Sequence, residues 1–252
     1  VYTSGAVVGL RTQKPQLKCG KKTPGGNAQE LHTAWRSFHE SGHAVVAKLL
    51  PHADPVHKVT IMPRGWALGL TWQLPEFDRI SNYRNKMLEE ISILFGGRIA
   101  EEVFMKQMST GASNDFERAT KLARDMVTRY GMSDKLGTMV YVGQDQDSFF
   151  GAMSSKTISE ATQQKVDAEI RRILDEQYSV ARKLIEKNRR KVEAMAKALL
   201  EYETIDADQI NDIMAGKKVR PPKPKQETNP PKGDKGSSGT KVAVVPQPSA
   251  KS

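Results

Sequence analysis

From Thr33 the apolar positions fall into a helical rhythm, with Phe38, Val45, Val46, Leu49 and Leu50 on one face and Pro51 marking the stop. Residues 1–32, rich in Gly, Lys, Thr and Pro, hold no sustained strand or helix period and read as an irregular lead-in. Val56–Met62 and Trp66–Gln73 are rich in β-formers and flank Pro63-Arg64-Gly65, which predicts two short strands and a turn. Helical spacing returns over Arg84–Phe104, where Gly96-Gly97 implies a bend or the close approach of a neighbouring helix. Ser109–Asn114 reads as a loop, and Asp115–Tyr130 as a helix capped by Ser113 or Asn114 and ended by Gly131. A short strand is expected at Thr138–Val142. Val166, Ile170, Ile173, Leu174, Tyr178, Ala181, Leu184 and Ile185 then predict a long amphipathic helix over 159–187, with two more helices over 188–201 and 206–214. The fold class is therefore mainly α, with a small β-sheet beside the first helix and a C-terminal helical subdomain. Beyond Gly216, Pro, Lys, Gly and Ser dominate, and the few large apolar residues cannot offset the entropy of ordering. The expected organisation is a lead-in at 1–32, a folded domain at 33–215 and a disordered tail at 216–252.

Charge changes this picture little. The formal net charge is +10, but residues 1–38 carry +5, residues 216–252 carry +7, and the middle carries −2. A nucleic-acid binder would need a basic stripe on a folded face, so no nucleic-acid partner is expected. No segment approaches the roughly 18–20 uncharged apolar residues of a membrane-spanning helix. Val1–Leu10 also lacks the basic start of a secretory signal, so the chain by itself reads as soluble and cytoplasmic. Cys19 is the sole cysteine, which excludes an intrachain disulfide and a Cys-based zinc site. At 252 residues the chain can bury a core without a metal staple, so a metal here would be catalytic rather than structural.

The chemistry lies in His39-Glu40-Ser41-Gly42-His43. This H-E-x-x-H pattern puts two imidazoles one helical turn apart on one face, near enough to share a zinc ion, with Glu40 beside them as catalytic base. The bland alternative, two ordinary histidines and a solvated glutamate, fits poorly with an apolar face and with Gly42, which costs a helix about 1 kcal/mol relative to Ala. A catalytic zinc needs a third protein ligand and one open position. The metzincin extension is absent, because Val46 and Leu49 stand where its Gly and His belong. Asp115, Glu101 and Glu102 are the candidates, with His52 and His57 less favoured in the loop and strand just after the helix. Spacing does not choose among them.

The blocks HESGHAVV, DPVHKVTIMPRGWALG, ILFGGRIAEE, STGASNDFERAT, ARDMVTRYGMSDKLG and YETID, in that order from Phe38 to about Met214, resemble the peptidase domain of the FtsH family of ATP-dependent zinc metalloproteases. The resemblance implies a zinc endopeptidase acting on unfolded or membrane-extracted proteins in quality control, with Asp115 as the third ligand beside His39 and His43. It also implies a substrate strand at Trp66, Ala67, Leu68 and Gly69, a homohexameric ring, and work at the cytoplasmic face of the bacterial inner membrane. ATP and the membrane would enter only through the family's AAA+ module and transmembrane segments, which have no counterpart in residues 1–38. Cys19–Thr23 reads CGKKT, but Pro15 occupies the first glycine position of a phosphate-binding loop. The unmatched lead-in is what a fragment, a truncation or a frame-disturbed product would show. A catalytically silent oligomerisation or regulatory fragment is the alternative.

Overall fold

The computed structural model describes residues 28–63, 69–75, 81–141 and 159–222. The first helix, α1, spans Ala28–Leu49 and begins five residues before the expected Thr33. Leu50 and Pro51 end it, since proline has no amide hydrogen to continue the ladder. Strands β1 (Val56–Thr60) and β2 (Leu70–Gln73) pair antiparallel, with Thr60 opposite Leu70 and Val59 opposite Thr71.

Helix α2 (Arg84–Ala100) runs through the middle of the molecule. Its residues Ile91, Ile93, Leu94, Phe95 and Ile99 are all buried, because α1 and two later helices, α3 (Ser113–Thr128) and α4 (Glu160–Lys187), cover it on several sides. The predicted helix 84–104 is not uniform. After Ala100 it widens into a π turn, Glu101–Met105, and stops at Lys106, whose φ is +58°. The Gly96-Gly97 pair marks a close approach. A β-carbon on Gly42 would run into the Gly96 carbonyl, and one on Gly96 would lie 2.7 Å from the Gly42 oxygen, so the α1 and α2 backbones touch there.

A 3-10 turn, Thr110–Ala112, leads into α3. Its cap is Ser109, whose hydroxyl accepts from the Gly111 amide at 3.1 Å, whereas Ser113 is already helical. The N-cap position of α3 itself is Ala112, which makes no side-chain cap bond and lies one residue ahead of the expected Ser113 or Asn114. No strand forms over residues 138–141. The Tyr141 amide donates instead to the Thr128 carbonyl at 2.8 Å and its hydroxyl to the Leu136 carbonyl at 2.7 Å, folding the segment back on the end of α3. Val142, the last residue of that expected strand, lies outside the described residues.

The stripe predicted along α4 is used inside the chain, with Val166, Ile170, Ile173, Ala181 and Ile185 buried in one core that also holds Ala44–Ala47 of α1. Helix α5 (Arg189–Tyr202) follows directly and packs on α1. Strand β3 (Thr204–Asp206), which the pattern did not predict, then joins the sheet in the order β2-β1-β3, with Ile205 opposite Val59. Three residues are too few to show an alternation. Asp206 caps α6 (Ala207–Met214) in a capping box with Gln209. Residues 216–222, assigned to the tail by composition, remain against α6: Arg220 donates to Asp212 at 2.6 and 2.8 Å and its carbonyl accepts from Gln209. The rest of that tail, from 223, lies outside the described residues.

Candidate metal centre

His39 and His43 stand one turn apart on the face of α1 that meets α2 at Gly97. A β-carbon on Gly97 would sit 2.5 Å from His39 Cε1 and from His43 Nε2, so only glycine leaves room for both rings. Each ring is fixed from behind. His43 Nδ1 donates to the Ile93 carbonyl at 2.7 Å, and His39 Nδ1 to Glu101 Oε1 at 2.8 Å. A carbonyl or an ionised carboxylate only accepts, so both Nδ1 atoms carry a proton and both rings turn Nε2 inward.

Asp115 completes the group from the first turn of α3, where the helix dipole favours a carboxylate. Its Oδ2 lies 3.4 Å from His39 Nε2 and 3.5 Å from His43 Nε2, and the two Nε2 atoms are 3.0 Å apart. Zinc–ligand bonds of 2.0–2.1 Å at tetrahedral angles put donor atoms about 3.3–3.4 Å apart, so the three atoms match three corners of such a site. Three acceptors this close, with no neutral donor between them, require a cation. Among the described residues no other trio of His, Cys, Asp or Glu converges this way.

The electrostatics agree. Burial disfavours an imidazolium at His39, yet the hydrogen bonds to Asp115 and Glu101 and the charge of Glu40 outweigh it and push the pKa up to about 9. Burial likewise opposes ionisation of Asp115, but its bonds to His39 and His43 hold it well below the usual carboxylate range. A proton is the smallest cation this field can attract, and a metal would displace it.

Glu40 is buried beside this cluster and is held by the sheet. The Thr71 hydroxyl donates to its Oε2 at 2.8 Å, and Gly69 passes so close that a β-carbon there would be 2.5 Å from Oε1. The edge strand β2 therefore runs alongside the carboxylate.

Residues 28–213 match peptidase family M41. The chain belongs to that family. It is 74% identical over 193 residues to an ATP-dependent zinc metalloprotease FtsH of Cupriavidus metallidurans, covering 77% of this chain and 30% of that protein. Proteins of the same name from Myxococcus xanthus and Magnetococcus marinus are 45% and 43% identical, over 82% and 91% of this chain and 33% and 36% of their own lengths. The chain thus spans about a third of these relatives.

Within this M41 domain the other ligand candidates have separate roles. Glu101, 1% exposed, lies behind His39, where burial works against its charge but the bond to His39 and the Ser109 amide lower its pKa. Glu102 faces away and bonds Tyr178 and Arg182. His52 pairs with Glu89 at 2.7 Å on the surface, and His57 is exposed on β1. Of the strand residues expected to bind substrate, Gly69 lies beside Glu40, whereas Trp66, Ala67 and Leu68 fall outside the described residues. Ser109 is a site residue that the pattern presented only as loop. Its amide and hydroxyl both donate to Glu101 at 3.0 Å, and its carbonyl accepts from Arg98 at 2.8 Å. A serine six residues before a candidate ligand is the one available signal, and it is weak.

Proposed function

We propose that this M41 domain is a zinc-dependent endopeptidase in which His39, His43 and Asp115 hold the metal and Glu40 is the catalytic base. The observation that carries the reading is the convergence of His39 Nε2, His43 Nε2 and Asp115 Oδ2 within 3.5 Å, backed by Nδ1 hydrogen bonds that turn both Nε2 atoms inward. When bound, zinc supplies Lewis-acid polarisation of the scissile carbonyl and makes hydroxide accessible near neutral pH. Glu40, aimed by Thr71, takes the proton of the attacking water and passes it to the nitrogen of the breaking C–N bond, so that the products are a carboxylate and an amine. Asp115 and Glu101 balance the positive charge with acceptors that stay ionised.

The substrate is an extended polypeptide. Among the described residues β2 pairs only with β1, so its other edge offers backbone groups beside Glu40 along Gly69–Gln73. An unfolded chain adding there as a further strand would bring its peptide bond past the base. No described helix is long and apolar enough to cross a membrane. By family resemblance, delivery of substrate, the homohexameric ring and tethering at the cytoplasmic face of the inner membrane belong to an AAA+ module and anchors of the whole protease.

Casein cleavage by the purified chain, with and without a chelator and beside Glu40→Gln, tests the mechanism. Activity should disappear in both cases and return after chelation when zinc is restored. Cleavage that persists with chelator and with Glu40→Gln would refute it.

A further inference from the structure

Glu101 and Glu102 are neighbours in sequence but serve opposite faces of one π turn. Glu101 joins His39 of α1 to Ser109 of the loop that leads to Asp115. Glu102 turns toward α4, where it accepts from the Tyr178 hydroxyl at 2.7 Å and from the Arg182 guanidinium. The Tyr178 ring meets Phe95 of α2 edge-on at 5.3 Å and carries the Arg182 guanidinium 5.7 Å above its face. A π turn is rare and occurs mostly as a single-turn bulge, frequently at functional sites, so the side chains that hold its two faces here bear on the site.

We infer that Tyr178 and Arg182 are positioning residues of the metal centre, gripping Glu102 so that the π turn keeps Glu101 in register with both His39 and Ser109. The inference rests on the zinc site proposed above. If the turn relaxed to a regular α-helix, one residue would drop out of the bulge and everything after it would rotate by about 100° relative to α2. Glu101 could then follow His39 or Ser109 but not both. Its bond to Ser109 restrains the segment delivering Asp115, so either loss loosens a ligand. Arg182 is 40% exposed and Glu102 21%, and an ion pair this wet contributes little to global stability. The clamp should therefore be read in metal affinity rather than in unfolding.

The test uses the full chain with Tyr178→Phe, Arg182→Met, the double variant and the charge-conserving Arg182→Lys. Zinc affinity is measured by competition with a chromophoric chelator, ligand geometry by the visible spectrum of the cobalt-loaded protein, and stability by urea unfolding of the metal-free form. The double variant should bind zinc about tenfold more weakly, the usual scale for groups that orient a ligand. Its cobalt spectrum should change while its urea midpoint hardly moves, and Arg182→Lys should recover part of the affinity. Unchanged affinity and spectrum in the double variant would overturn the inference, as would an affinity loss fully accounted for by a lower urea midpoint. Should the double variant not fold, Tyr178→Phe decides alone: the loss of one hydroxyl should weaken zinc binding about threefold, and wild-type affinity would count against the clamp. A wild-type chain that takes up no zinc would remove the proposed site itself, and this inference with it.

Discussion

Replacing Gly97 with alanine places a methyl group where two imidazoles already meet. The new carbon would be 2.5 Å from His39 Cε1 and His43 Nε2 and 2.6 Å from His39 Nε2. Ordinary contact needs about 3.4 Å or more, so each ring must retreat by about 0.9 Å. Both rings are pinned by Nδ1 bonds of 2.7 and 2.8 Å, and such a shift stretches one of them past the 3.5 Å reach of a hydrogen bond. Loss of the bond to the charged Glu101 amounts to about 1.5–3 kcal/mol, roughly a 10- to 100-fold fall in zinc affinity. The fold should suffer less. Alanine is better than glycine in a helix by about 1 kcal/mol, which offsets part of the ~1–3 kcal/mol of overpacking and leaves a net cost of about 0–2 kcal/mol. Gly97→Ala should therefore lose no more than about 2 kcal/mol in urea unfolding of the metal-free form while losing zinc in chelator competition and losing caseinolysis. A variant that binds zinc with wild-type affinity would show that the glycine is not what makes room for the site.

Three further outcomes follow from the same contacts. Gly42→Ala meets backbone rather than a movable side chain, so α1 and α2 must separate; a loss of about 3 kcal/mol or more in urea unfolding is expected, against no change if the crossing is soft. Thr71→Val removes the hydroxyl that aims Glu40 at nearly constant volume, and kcat for peptide cleavage should fall about tenfold with zinc content intact; wild-type kcat would detach Thr71 from the base. Glu169 is 2% exposed and its pKa is lowered, chiefly by the hydrogen bond from Arg172 against the opposing effect of burial, with help from Ser133 and Lys135. A lowered folded value makes its contribution full above the ordinary Glu pKa of about 4.5 and lost as the pH falls toward the folded value. Thermal melts from pH 6 to pH 3 should thus show a shallower acid limb for Glu169→Gln than for wild type, and parallel limbs would refute the assignment.

The local pattern by itself determined most of the helices, the paired strands β1 and β2 and the two-histidine, one-glutamate turn of α1. Each is encoded within a few residues: helical spacing around His39 and His43, proline at 51, β-formers on either side of Pro63-Arg64-Gly65. It did not choose among the third-ligand candidates, because Asp115 lies 72 positions beyond His43 and no local rule ranks it above Glu101, Glu102, His52 or His57. Only the long blocks of family resemblance pointed to Asp115. Tertiary structure separated these candidates, setting Asp115 beside the histidines, Glu101 behind His39, Glu102 against α4 and the other histidines on the surface. It also decided the features that exist only in contact. Strand β3 needs the edge of β1 to pair with, the π turn presents Glu101 to His39 and Glu102 to Tyr178, and Gly42, Gly96 and Gly97 are required because two helices cross there with their backbones touching and two imidazoles filling the remaining space. Spacing encodes which side chains share a helical face; what lies opposite that face depends on how distant segments pack.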